Sequence, residues 1–146
     1  MRQKLIFLLA VFMLSSCAAD ETLNQPLPYS ISEAIAMQDY RARLKGFRFY
    51  FGNQRHPAVG KTIGVRATAQ RSSAAKRERK ESCAHAFVSA LLRLRSEALA
   101  SGGNAIINIK SNYGNFEVSS EGSYQCASSA LMSGVALRGT VVKLRN

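Results

Sequence analysis

"CAHAFVSALLRLRSEALASGGNAIINI", Cys83 to Ile109, is the stretch whose pattern decides the fold. Ala84, Phe87, Val88, Leu91, Leu94 and Ala98 recur at helical spacing, while Arg93, Arg95, Ser96 and Glu97 fall largely off that stripe. The spacing predicts an amphipathic helix over about residues 79–101. Gly102 and Gly103 follow, as a left-handed C-terminal cap requires. "NAIINI", residues 104–109, is short and apolar on both sides, which reads as a central strand covered on at least one face.

The flanking segments alternate with a period of two. In "FRFYFG", residues 47–52, Phe47, Phe49 and Phe51 share one face, and the alternation predicts a half-buried strand with the three rings in the core. In "KTIGVRATAQ", residues 61–70, Ile63, Val65, Ala67 and Ala69 share one side, and Thr62, Arg66, Thr68 and Gln70 the other. A basic, serine-rich connector over residues 71–80 leads into the helix. After the central strand, residues 112–115 predict a turn and residues 116–126 a further strand. In "GVALRGTVVKL", residues 134–144, Val135 and Leu137 sit on odd positions but Val142 and Leu144 on even ones. That change of face predicts a bulge at Gly139. Ser30 and Glu33 have capping-box spacing and predict a short helix to about Leu44, stopped by Gly46. Strands, one long helix and strands again predict an α+β domain: a small sheet with the helix packed on one face.

The amino terminus carries a different signal. Arg2 and Lys4 precede "LIFLLAVFML", residues 5–14, an apolar run far short of the roughly 20 residues of a membrane-spanning helix but suited to the core of an export signal. The run closes on Leu14-Ser15-Ser16-Cys17, which resembles the lipobox of bacterial lipoproteins. The resemblance implies cleavage before Cys17, lipidation of its thiol and acylation of the new amino group. Several acyl chains at one residue anchor a protein stably, whereas one binds only marginally. Ala18 follows where an aspartate would imply retention in the inner membrane, so the resemblance implies an outer-membrane location. Residues 1–16 are thus expected to be a signal peptide, 17–29 a lipidated tether containing Pro26 and Pro28, and 30–146 a single domain.

The chain is strongly basic, with a formal net charge of +11. In an exported protein this points to an anionic neighbour such as lipid head groups, lipopolysaccharide or an acidic envelope protein, or else to a solubilising surface. Two clusters carry much of it: "KRERK", Lys76 to Lys80, and Arg41, Arg43, Lys45 and Arg48. Aromatic residues interleave with the second, as in nucleic-acid binders, but the three Phe residues share a strand face suited to a core; core plus solvated charge ranks well above nucleic acid, with an anionic envelope surface between the two.

Candidate chemistry is thin. Gly60-Lys61-Thr62 has the tail of a phosphate-binding loop, but Arg55 stands where that loop needs its first glycine, and an alternating segment follows where it needs a helix. Cys83 and His85 are two apart, a spacing that points them some 200° apart on a helix and denies them a common metal. His56 reads as a loop residue and His85 as an exposed helix residue. No catalytic, cofactor or metal set is assigned. With Cys17 acylated, Cys83 and Cys126 remain in an oxidising compartment and are expected to form a disulfide between helix and sheet. Two separate buried thiols, or pairing with another chain, are the alternatives.

The lipobox, "FYFGNQRHPAVGK", the helix from Cys83, "GGNAIINIKSNY" and "YQCASSALMSGVALRGTVVKL" together resemble a family of small bacterial outer-membrane lipoproteins that often carry the label of an excinuclease paralogue. The core is distantly similar to YbjQ-type heavy-metal-binding domains and to the Rcs stress-sensor lipoprotein. The DNA-repair role in the label does not suit an exported, lipidated chain. The resulting expectation is a non-enzymatic envelope lipoprotein with a binding or sensing domain. The alternative is a metal or small-ligand binding module of the YbjQ type, oligomeric like it.

Overall fold

Helix α3 spans Arg79–Ala100 in a computed structural model that describes residues 25–146. The expected signal peptide, Cys17 and most of the expected tether lie outside the described residues. Helix α3 ends as its glycines predict. Gly102 has φ +85°, its N–H donates to the Leu99 carbonyl at 3.2 Å, and the Gly103 N–H donates to the Ala98 carbonyl at 2.8 Å. These are the paired bonds of a Schellman cap. A Cβ on Gly103 would lie 2.4 Å from Val141 Cγ1, so only glycine lets the chain turn this close to the sheet.

The remaining elements are strand β1 (Leu27–Ser30), helices α1 (Ile31–Ala36) and α2 (Tyr40–Leu44), and strands β2 (Arg48–Phe51), β3 (Val59–Ser73), β4 (Ala105–Tyr113), β5 (Phe116–Val118), β6 (Ser123–Ser128) and β7 (Met132–Leu144). The fold is α+β. Seven strands form one mixed sheet in the order β1-β6-β7-β4-β2, with β3 paired along the other edge of β7 and β5 on β4. Only β2 and β4 run parallel; the other paired strands are antiparallel. Helix α3 packs on one face of the sheet, and α1 and α2 pack on α3 in turn. Cys83, Ala86 and Ala90 lie beside the apolar stripe yet are buried, because this side of α3 faces the sheet, where Cys83 bonds Cys126 of β6 and Ser82 meets Ser133 of β7. At the centre, the fully buried Phe87 stacks on Tyr124 with ring centroids 4.0 Å apart and touches Phe51 at 5.9 Å. One continuous core of this kind runs through residues 31–141, so the described residues hold what an independently folding domain needs.

Several sequence expectations need correction. The bulge is not at Gly139. It lies on β4, where Ile107 pairs with Thr140 and Lys110 with Arg138, and Asn108 takes φ +52°. Gly139 lies opposite it because a Cβ there would meet Ile106 Cγ2 at 2.6 Å. Strand β7 keeps its alternation throughout. Its apolar residues change parity because both faces are covered at that end: Val141 joins the main core, while Val142 and Leu144 join a small second cluster with Ala105 on the far face. A bulge also interrupts β3, between Thr62 and Gly64. It reverses the expected faces. Ile63 packs on the core, but beyond the bulge Thr68, Gln70 and Ser72 lie opposite the buried Leu137, Val135 and Ser133, and so face α3. Val65, Ala67 and Ala69 are left on the exposed face.

The boundaries also move. The tether expected to reach Tyr29 is shorter, since Leu27–Ser30 pairs with β6. Ser30 does cap α1, its Oγ accepting from Glu33 N–H at 3.3 Å. The single helix expected to Leu44 is two, broken where Gln38 takes φ +50°. The connector begins only after Ser73, and the strand expected over residues 116–126 is split into β5 and β6.

Candidate functional site

Two buried side chains, Tyr40 and Leu44, seat the five-residue helix α2 on α3. Gly46, at φ +87°, then reverses the chain into β2. Alternation in β2 turns Phe47, Phe49 and Phe51 toward the helices, but α2 is too short to cover all three. Only Phe51 is buried. Phe47 and Phe49, 5.1 Å apart by ring centroid, are only partly buried at the edge of the core. They line a groove of about 920 Å³ together with Ile35, Leu44, Phe51 and Leu91. Arg41, Lys45 and Arg48 contribute basic groups to it, and Asp39 is the one carboxylate among its lining residues. Alternation alone predicts all three rings in the core; Phe51 is buried there, while Phe47 and Phe49 pack against its edge and keep part of their surface in the groove.

The second basic cluster thus borders a cavity. "KRERK" is different: it lies at the exposed amino end of α3, where cations oppose the helix dipole. Its one ion pair, Lys80–Glu33 at 2.5 Å, is about half exposed on both sides and is worth at most about 1 kcal/mol. Helix stability does not account for this cluster.

Between the two clusters lies a contact with no signature in the sequence. The Tyr40 hydroxyl and His85 Nδ1 are 3.0 Å apart, and the Arg43 guanidinium stands 5.8 Å from the Tyr40 ring centroid. Arg95 Nη1 donates to the Arg43 carbonyl at 2.7 Å and ties α2 to α3. His85 is half-buried, not exposed as its position suggests. Burial, with Arg77 and Arg43 beside it, lowers its pKa below the ordinary 6.5, against the opposing pull of Glu81. The folded state therefore favours the neutral ring. Between the lowered value and 6.5 the unfolded chain binds more protons, so stability rises with pH through that window and falls as pH drops through it. NMR titration is expected to place the His85 midpoint below 6.5, and His85→Gln to flatten the stability change between pH 5 and 7. A midpoint at or above 6.5 would contradict this reading.

Cys83 and Cys126 are joined as expected. The disulfide ties α3 to β6 with a Cα–Cα distance of 5.9 Å, and both residues are buried. Ser128 Oγ lies 3.2 Å from Cys83 Sγ and 2.9 Å from Ser133 Oγ, which also bonds Ser82 Oγ. This buried run of hydroxyls satisfies itself. Cys83 has no free thiol to share with His85. His56 sits in the loop before β3, its ring edge-on to Tyr50 at 5.6 Å. Among the described residues no group of three or more His, Cys, Asp or Glu side chains gathers as a metal site would need. Neither histidine there is hydrogen-bonded to a serine, a cysteine or a carboxylate. Gly60-Lys61-Thr62 lies inside β3, so "GKT" heads no phosphate loop. No described helix is long and apolar enough to cross a membrane. No family model, curated protein or solved structure matches the chain.

Proposed function

We propose that this chain is a non-enzymatic envelope lipoprotein: a signal peptide over residues 1–16, a lipidated Cys17, a short tether and a domain that binds or senses at the outer membrane. The observation that carries it is the run from Arg2 to Cys17, with its basic start, ten-residue apolar core and small-small-Cys ending. The likeness to small bacterial lipoproteins supports it, as does the disulfide, which suits an oxidising compartment. Folded structure has begun by Leu27, so the tether is at most about ten residues, and fully extended it reaches roughly 30–35 Å. The domain then stays close to a lipid surface, where the net charge of +11 matches anionic head groups.

Cys17→Ser tests the reading in the native host. The variant is expected to lose all lipid at residue 17 and to accumulate as unprocessed precursor, whereas mass spectrometry of the wild type finds an acylated amino-terminal cysteine. Normal cleavage and unchanged membrane fractionation of Cys17→Ser would overturn it.

A further inference from the structure

We propose that the groove between α2 and β2 takes an acyl chain of an anionic phospholipid. The inference rests on the anchored reading for the source of its ligand. The floor of the groove is apolar and unfinished. Phe47 and Phe49 are adjacent and only partly buried, at the edge of the core beside the buried Leu44 and Leu91. A volume of about 920 Å³ lies within the roughly 300–1,000 Å³ of small-ligand sites. A neutral hydrocarbon would need nothing more. Here Arg41 and Lys45 are exposed beside the apolar floor, Arg48 is half-buried in its wall, and Asp39 is the only opposing charge. Tail below and phosphate beside the basic groups is the arrangement that satisfies both parts. The tether adds a geometric argument, since it is too short to carry the groove far from the membrane surface.

The domain of residues 25–146, disulfide closed, is the material for the test, because it lacks Cys17. A failure here leaves the anchor reading standing, and a failure of Cys17→Ser leaves any affinity measured here intact. NMR shifts are followed during titration with dioctanoyl phosphatidylglycerol below its micelle concentration, with dioctanoyl phosphatidylcholine and with inorganic phosphate. Phosphatidylglycerol is expected to shift Phe47, Phe49 and Leu91, to bind about tenfold more tightly than phosphatidylcholine, and to weaken as salt rises. Phosphate alone is expected to leave the ring signals in place. The double variant Arg41→Glu/Lys45→Glu is expected to lose about tenfold or more of the phosphatidylglycerol affinity, with its phosphatidylcholine affinity and urea midpoint unchanged. Equal affinity for the two lipids, shifts confined to other surfaces, or a groove covered by a second copy of the domain without lipid would each overturn the proposal.

Discussion

Removing the Cys83–Cys126 disulfide is expected to lower the stability of the domain by up to about 4 kcal/mol, the loop-closure entropy for cysteines 43 positions apart. That is a large part of the roughly 5–15 kcal/mol that holds a domain of this size together. The bridge joins the layer that carries α3 to the sheet strand β6, so the unfolded chain it restrains is one in which helix and sheet have separated. Cys83→Ala/Cys126→Ala, compared with the oxidised wild type, is expected to shift the urea midpoint down by on the order of 2 M. The neighbouring serines remain paired with one another through Ser133, so the variant exposes no new charge or donor to the core. A loss below about 1 kcal/mol would mean that native strain in the bridge, or residual structure in the unfolded chain, offsets the loop-closure term.

Phe87→Ala is expected to cost about 3–5 kcal/mol. Phe87 is fully buried and touches both layers: it lies on α3, stacks 4.0 Å from Tyr124 of β6, and meets Phe51 of β2. Truncation loses the transfer energy of the ring and the aromatic pairing, and leaves a void between helix and sheet that a disulfide-fastened pair of layers cannot easily close. Phe116→Ser is the control. That ring is 80% exposed, and its removal is expected to change stability by less than about 0.5 kcal/mol. Urea unfolding of the two variants side by side checks both figures. A Phe87→Ala cost near that of Phe116→Ser would show that the core repacks around the loss.

How much of this is legible in the chain depends on how local the physics is. The α3 stripe, its glycine cap and the Ser30 cap depend on residues within a turn or two of one another, and a reader of the sequence sees all the partners. The Cys83–Cys126 pairing is legible for another reason: once Cys17 is set aside, only two cysteines are left to pair. The face of a strand is not local in this sense. Val65, Ala67 and Ala69 alternate as a core stripe should, yet the bulge before Val65 turns them outward and leaves Thr68 and Gln70 beneath α3. Val142 and Leu144 look like a register slip only if one sheet face is bare; a second apolar cluster covers them.

The candidate groove divides along the same line. The basic residues Arg41, Arg43, Lys45 and Arg48 and the three alternating phenylalanines are visible in the chain. Their meaning is not, because it turns on whether α2 reaches over Phe47 and Phe49, and α2 stops at Leu44. The Tyr40–His85 contact spans 45 positions and has no pattern at all. By itself the sequence determined the organising helix, the main strands around it and the covalent tie, since each follows from backbone propensity, short-range spacing or the reactivity of a single side chain. Only the tertiary structure decided which apolar side chains are buried and which form a surface, because burial depends on what arrives from elsewhere in the chain, and one inserted residue in a strand exchanges its two faces.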